Sequence, residues 1–407
     1  MSTNATPSDG QLRRRLGLPL LTLYGIGVTI GAGIYVLIGA VAGHAGKHAP
    51  LAFVIAAVVM GLTVASYAEL CTRYPVAAGE AAYVRAAFQR RWLSTATGVV
   101  MIGSATVVAA TVAIGSAGYI GQFVAWPKPL IVTVVIVALA LVSAWGVLES
   151  VLLAALFTLV EVSGLLLIVL AAVRADIPFA STILTMPPLD ATVWSGIALA
   201  SLLAFFAFTG FEDLTNMAEE THSPGRTIPV AMGITLVVTT LLYVVVAAIA
   251  VTALPPERVA ASDAPLSLVF REIAGMSPAA ITAIAITATL NTIIAQLTMA
   301  IRVVYGLARQ GDIPQAFGRV HKTTATPLMA TFAILGLTLL LALTAQFERL
   351  AEWASLSTLL VFVLVNLALI QLRLKETMAP PGTLVVPLAL PILGLLTSIL
   401  MIASALL

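Results

Sequence analysis

The chain has 407 residues, of which 60% are hydrophobic and only 9% are charged, and its formal net charge is +2. Ordinary globular domains carry about 25% charged residues, so this composition excludes a typical soluble fold. Apolar runs of about 20 residues recur along the chain, each long enough to cross a bilayer as a helix. Alternating segments typical of membrane strands do not occur. The sequence therefore predicts an all-α polytopic protein of the lipid bilayer.

Hydropathy along the chain predicts about eleven transmembrane helices. Their predicted spans are 18–42, 50–72, 94–123, 129–148, 151–173, 193–217, 228–253, 277–308, 326–345, 352–373 and 383–406. The connections between them are short, so little chain is left for a soluble domain.

The distribution of Lys and Arg predicts the orientation. Residues 1–17 are polar, contain three consecutive arginines and lack the apolar core of a signal peptide. If this tail is cytoplasmic, fourteen Lys and Arg residues fall on the cytoplasmic side and six on the other, as the positive-inside rule requires. The basic character thus reflects orientation and does not indicate a nucleic-acid partner. We expect a multi-pass protein of the plasma membrane with a cytoplasmic N-terminus.

The first span contains a run of small residues at membrane depth, segment 25–33 (GIGVTIGAG). Such a run is typical either of close helix packing or of an interrupted helix that lines a cavity. A helix that begins near Gly33 would present free N–H groups and the positive end of its dipole, which can hold a carboxylate.

Glu161 lies near the middle of the fifth apolar span. A carboxylate at the bilayer centre costs roughly 2.5–3.5 kcal/mol on insertion scales, and such residues usually face a cavity or a partner. We expect Glu161 to be either a protonated structural carboxyl or the group that binds a coupling proton, Na⁺ or a cationic substrate.

The sixth span contains a second interruption, segment 205–213 (FFAFTGFED), at a place that matches the first if the chain consists of two five-helix repeats. Interrupted helices at matching places are the best sequence indication of a transporter site. Carbonyl groups freed near Phe208 would accept hydrogen bonds from an ammonium group. Together the two breaks can hold a zwitterion without a charged side chain.

Four segments resemble the amino acid–polyamine–organocation (APC) superfamily of permeases: 31–35 (GAGIY), 67–75 (YAELCTRYP), 210–212 (GFE) and 302–314 (RVVYGLARQGDIP). The resemblance implies a leucine-transporter-like core in which interrupted helices 1 and 6 face each other. It divides the chain into the tail 1–17, a first five-helix repeat 18–173, an inverted second repeat 193–373 and an additional helix 383–406.

The resemblance also implies the site residues. The substrate-binding positions are Thr29, Gly31, Ala32, Gly33, Phe205, Phe206, Phe208, Thr209, Gly210 and Gln296, with Phe206 as the lid. Glu161 and Glu212 are the coupling positions. Many members carry a lysine in the fifth helix, and this chain departs from them by having the acid Glu161 at or near that place. At the end of the second span, Glu69 and Arg73 are expected to be a plain solvated pair, with a local ion pair or a latch to loop 302–322 as the other interpretations.

The function predicted from the sequence is secondary active transport of amino acids by alternating access, with small neutral ones first. Cationic amino acids or polyamines are the alternative, since the pocket segments hold carboxylates and no Lys or Arg. A channel is a distant alternative, because it needs a continuous polar lining whereas the polar residues here gather at the two breaks. An enzyme is disfavoured, because the sequence shows no catalytic constellation at membrane depth. Symport of H⁺ or Na⁺ and exchange all remain open, with H⁺ preferred to Na⁺. No cofactor or metal is implied.

Overall fold

The computed structural model describes residues 16–75, 79–144, 151–218, 220–321, 326–376, 379–380 and 382–406. All but the last two residues of the predicted tail 1–17 lie outside these ranges, as does the end of the fourth predicted span. Within the described residues the regular structure is helical, and the only β pairing is an isolated bridge between Leu16 and Thr221. The prediction of an all-α polytopic protein is confirmed.

The first part of the chain forms seven α-helices in the described residues. They are α1 (Leu18–Ile30), α2 (Gly33–Ala45), α3 (Ala49–Arg73), α4 (Gly79–Phe88), α5 (Arg91–Ile120), α6 (Lys128–Ala144) and α7 (Val151–Arg174), with a 3₁₀ turn at Gly46–His48. The interruption expected in the first span separates α1 from α2. Helix α4 lies in a segment that the sequence predicts to be a loop.

The remaining described helices continue from α8 to α17. They are α8 (Phe179–Ile183), α9 (Ala191–Phe206), α10 (Asp213–Asn216), α11 (Pro224–Ala253), α12 (Pro256–Ala260), α13 (Pro265–Ala274), α14 (Ala279–Arg309), α15 (Leu328–Thr344), α16 (Phe347–Lys375) and α17 (Ala389–Leu406). The second interruption separates α9 from α10. Among the residues that the structure describes, six helical stretches are long and apolar enough to cross a membrane by length and composition, and five further apolar helices are shorter.

Helix α17 begins six residues later than the predicted span 383–406. Pro387 disfavours helical backbone at the residue before it, so the chain stays extended through Val386. The Val386 N–H instead donates to Glu69 Oε2 of α3, 2.9 Å away. The observed start of α17 at Ala389 therefore depends on a proline and on a contact with a distant helix.

The packing brings the two interruptions together. Helix α2 packs on α9, and α1 packs on both α7 and α11, while α11 also packs along α3. On the other side, the long helix α5 contacts α14, α15 and α16. The breaks α1/α2 and α9/α10 therefore lie between these two groups of helices, where cavities can form.

Candidate functional site

The break between α1 and α2 is held open by α14. Gly31 has φ +29°, and the next N–H, that of Ala32, donates to Thr292 Oγ1 at 3.0 Å. A Cβ on Gly31 would lie 2.5 Å from Thr292 Oγ1. One on Gly33 would lie 2.6 Å from the Cα of Ala207. The sequence offered helix interruption and close helix packing as two interpretations of segment 25–33, and both apply. Its small residues permit the break and also the close contact with the second interrupted helix.

Helix α2 begins with free donors at this break. The first N–H groups of a helix have no intrahelical acceptor, and those of Gly33, Ile34 and Tyr35 have no hydrogen-bond acceptor among the described residues. They lie at the positive end of a 13-residue helix. This end of α2 is suited to a carboxylate.

The break after α9 leaves fewer free carbonyl groups than expected. Tight turns satisfy the Ala204, Phe205 and Phe206 carbonyls, which accept from the N–H groups of residues 207, 208 and 209 at 3.0–3.1 Å. Among the described residues, the Phe208 and Thr209 carbonyls have no donor. At Gly210 the chain takes φ +114°, and a Cβ there would lie 2.8 Å from the Val28 carbonyl oxygen of α1. The acceptors available to an ammonium group are therefore those of residues 208 and 209.

One tyrosine of α11 ties the two breaks to each other. The fully buried Tyr243 hydroxyl lies 2.8 Å from the Thr29 carbonyl oxygen and 2.8 Å from the Ala207 carbonyl oxygen. Its single proton is shared between two backbone acceptors that the interruptions have freed. The sequence analysis did not identify Tyr243, although it is the one aromatic residue in the apolar span 228–253.

A small cavity of about 40 Å³ adjoins the α9/α10 break. Its walls come from α3, α4, α5, the break itself, α14 and α16. The lining residues used below are Tyr67, Glu80, Ser104, Thr209, Glu212, Asp213, Gln296 and Thr358. We call it the acidic cavity, because three carboxylates line it and, among the described residues, no Lys, Arg or His does. At about 10–15 Å³ for each water it has room for about three water molecules, so an amino acid requires the helices to move apart.

A second cavity, of about 20 Å³, lies beside α1, between α7 and α14. It is lined by Gly27, Thr158, Asn291 and Thr292 among others, and Gln296 lines both cavities. A Cβ on Gly27 would lie 1.8 Å from Thr158 Oγ1. Glycine at this position is therefore required for α1 to pack against α7.

Glu161 is fully buried beside this second cavity. Its Oε1 accepts a hydrogen bond of 3.3 Å from the Asn291 side chain, and Asn291 lines the cavity. Its Oε2 has no hydrogen-bond partner among the described residues. The Glu161 backbone carbonyl accepts from the Tyr35 hydroxyl at 2.7 Å, which connects α7 to α2. Through Tyr35, the backbone of Glu161 is thus hydrogen-bonded to the first turn of α2, which lies at the first break.

The predicted phenylalanines pack among the helices. Phe208 has edge contacts with Phe53 and Tyr243, and Phe205 with Phe362, which lines the acidic cavity. Phe206, the predicted lid, is 3% exposed and lines neither cavity. Thr209, Glu212 and Gln296 are the predicted site residues that the structure brings together around the acidic cavity.

The prediction that Glu69 and Arg73 are solvated is wrong, whereas the local ion pair, the other interpretation of the sequence, is formed. The two side chains are 0% and 1% exposed and lie 2.7 Å apart. Arg73 also pairs with Glu376, and Arg373 Nε lies 3.0 Å from Glu69 Oε1. The predicted latch to loop 302–322 is not formed among the described residues; the partners come from α16 and the segment before α17. Their position near the end of the chain could not be read from the sequence.

Comparison with known proteins agrees with this architecture. A family model described as amino acid permease matches residues 16–407. Branched-chain amino acid permease BcaP of Bacillus subtilis is 29% identical over 94% of this chain and 87% of its own length. An uncharacterized transporter of Mycobacterium tuberculosis is 30% identical over 90% and 82% of the two chains. Cationic amino acid transporter 1 of Arabidopsis thaliana is 30% identical over 91% of this chain, which spans 64% of the plant protein. The resemblance seen in the four sequence segments is confirmed.

Proposed function

The chain belongs to the amino acid permease family, and we propose that it carries small neutral amino acids across the plasma membrane by alternating access. The observation that supports this most is the pairing of free backbone groups at the two breaks. The N–H groups of residues 33–35 suit the substrate carboxylate, and the Phe208 and Thr209 carbonyls suit its ammonium group. BcaP, a branched-chain amino acid permease by name, is compatible with a neutral substrate.

In this proposal the two five-helix repeats, 18–173 and 193–373, form the carrier core, and the helix at 383–406 is additional. The substrate site lies at Thr29–Gly33, Phe205–Gly210 and Gln296. The N-terminus is cytoplasmic. Because the cavities now have room only for water, we infer that the structure represents a closed conformation and that the helices lining them separate to admit substrate.

We further propose that transport is coupled to H⁺, with Na⁺ as the less favoured ion, through Glu161 and Glu212. Glu161 supports this because one of its buried carboxyl oxygens is free to carry a proton while the other accepts from Asn291. Loss of that proton would leave a buried negative charge with one amide donor, so protonation and local packing are linked. Exchange of one amino acid for another is the other mode to be tested.

Cationic amino acids are the second candidate substrates. Two observations favour them: the acidic cavity has no basic lining residue, and several similar plant proteins are named as cationic amino acid transporters. A lysine or arginine side chain reaching past Gln296 would meet Glu212 directly. The free carbonyls and N–H groups at the breaks would bind its backbone as they bind that of a neutral amino acid.

Uptake into liposomes containing the purified full chain tests these proposals. We expect labelled leucine or alanine to accumulate when the outside is acidic, with arginine and lysine as weak competitors. Glu161→Gln should transport with little dependence on pH, while Glu257→Gln, an exposed control on α12, should behave as the original protein. Unchanged pH dependence in Glu161→Gln would remove its coupling role, and accumulation of arginine but not leucine would favour the second substrate class.

A further inference from the structure

Glu80 is a buried carboxyl to which neither the fold nor the proposed transport site has so far given a role. It lies in the first turn of α4, is 1% exposed and lines the acidic cavity. Its Oε1 accepts a 2.9 Å hydrogen bond from the Tyr67 hydroxyl of α3. Its Oε2 has no hydrogen-bond partner among the described residues. A buried polar atom without a partner is rare in folded proteins and calls for an explanation.

The charge around Glu80 is unbalanced. Glu212 and Asp213 line the same cavity, and the negative charges of Glu80 and Glu212 repel each other. Burying the ionised Glu80 carboxylate without a counter-charge is costly, and the neighbouring negative charges add to that cost. The cavity must therefore take up positive charge, either as a proton or as a small cation.

We propose that the acidic cavity is a proton-binding site on the α4 side of the helix breaks and that Glu80 is the carboxyl that takes up and releases the proton. A hydronium ion delivers the proton, so one of its O–H bonds breaks as an O–H bond forms at Glu80 Oε2 and a water molecule is left. On release the Oε2–H bond breaks and a water molecule takes the proton away as hydronium. This rests on the proposed function only in assigning that proton to coupled transport.

A proton suits the geometry better than a metal ion. Within the part of the chain that the structure describes, no group of three His, Cys, Asp or Glu side chains is arranged to hold a metal. The volume of about 40 Å³ holds about three waters, enough to carry a proton between the carboxyls.

Opposing influences act on Glu80. Burial raises its pKa, and the hydrogen bonds from its own backbone and from Tyr67 act in the other direction. The N-terminal end of α4 also favours the ionised form. Such a balance is what a group that both gains and loses a proton requires.

The groups that face Glu80 are Tyr67 of α3, Tyr83 of its own helix, and Glu212 and Asp213 beyond the second break. Helices α5 and α16 contribute the hydroxyls of Ser104 and Thr358 to the cavity wall.

The basic side chains of the same helices are engaged elsewhere. Arg91 of α5 pairs with Asp312 at 2.7 Å, and Lys375 of α16 donates to the Ala87 carbonyl at 3.0 Å. Arg73 pairs with Glu69, and Arg85 of α4 is exposed. No cation from the described parts of these helices lines the cavity, so a proton from solution is the available counter-charge.

Infrared difference spectra of the purified full chain in nanodiscs, recorded between acidic and alkaline pH, test the proposal. A protonated carboxyl gives a C=O stretching band at a higher frequency than the amide carbonyls, and an ionised carboxylate lacks this band. We expect Glu80→Gln to lose the amplitude of one titrating carboxyl per chain, and the exposed control Glu257→Gln to keep the Glu80 band. Tyr67→Phe should keep the Glu80 band but raise its pH midpoint by about one unit, because it removes a donor to the charged form.

Spectra of Glu80→Gln that match those of the original protein would overturn the assignment. If that variant does not fold, an unchanged midpoint in Tyr67→Phe would overturn it equally. A band that disappears when Na⁺ replaces choline at constant pH would also contradict it, since the cavity would then take a metal cation. Uptake by the original protein that ignores a pH gradient, with the Glu80 band present, would refute coupling while leaving the proton site intact.

Discussion

Replacing Tyr243 with phenylalanine should weaken both the fold and substrate binding. The variant keeps the ring and its contacts with Phe53 and Phe208 but removes the hydroxyl between the Thr29 and Ala207 carbonyls. A buried acceptor left without a donor costs about 1–3 kcal/mol. Two acceptors lose their donor, but each had only a share of one proton. We therefore expect a total loss of about 2–4 kcal/mol, which is less than two full hydrogen bonds at the upper value.

Part of this loss should appear in substrate affinity, because the hydroxyl fixes the two breaks relative to each other. A bias of only 1.4 kcal/mol toward the binding geometry corresponds to tenfold in Kd. We therefore expect Tyr243→Phe to melt at a lower temperature and to bind amino acid at least about tenfold more weakly, measured by thermal shift and by binding of labelled substrate.

The matched control is Ser267→Ala, which removes a buried hydroxyl that shares a 2.8 Å hydrogen bond with the Thr282 hydroxyl, between α13 and the start of α14. It should lower the melting temperature without a comparable change in affinity. Equal affinity in Tyr243→Phe and the original protein would refute the view that this hydroxyl organises the site. Equal losses of affinity in both variants would show only a general loss of stability.

Three further outcomes are expected. Gly33→Ala should abolish uptake, measured in liposomes, because its Cβ would lie 2.6 Å from the Ala207 Cα and backbone must shift; uptake at the original rate would contradict this contact. Glu69→Ala should lower stability by about 3–5 kcal/mol, since it removes the buried carboxylate that pairs with both Arg73 and Arg373, and Glu257→Ala should not; melting curves compare them. Burial raises the pKa of Glu80, so the native state holds its proton where the unfolded chain has lost it. Stability should then fall as pH rises above the usual glutamate range, and Glu80→Gln should flatten that dependence in melting curves.

The sequence predicts the architecture well because the bilayer imposes a strong rule on it. Apolar runs of helix length specify helices, and small residues such as Gly31 and Gly210 mark where the backbone departs from them. Both predicted interruptions occur at the expected places. The bounds are less well predicted where a tertiary contact decides them, as at Val386, whose N–H pairs with Glu69 in a helix more than 300 residues earlier.

The hydrogen-bond partners of the buried polar groups cannot be predicted from the local sequence, because they come from distant helices. Glu80 looks like a loop carboxylate because it lies between two apolar spans among small residues, yet α4 packs against α5 and α16 and the carboxyl is buried. Glu161 looks isolated in an apolar span, yet Asn291 of α14 meets it from 130 residues away. Both carboxyls have one oxygen with a donor and one without among the described residues. A buried carboxyl with one oxygen left without a donor is stabilised by binding a proton there. The two carboxyls lie at the two cavities that Gln296 lines, beside the helix breaks. This shared arrangement is the physical reason to expect that protons accompany the substrate.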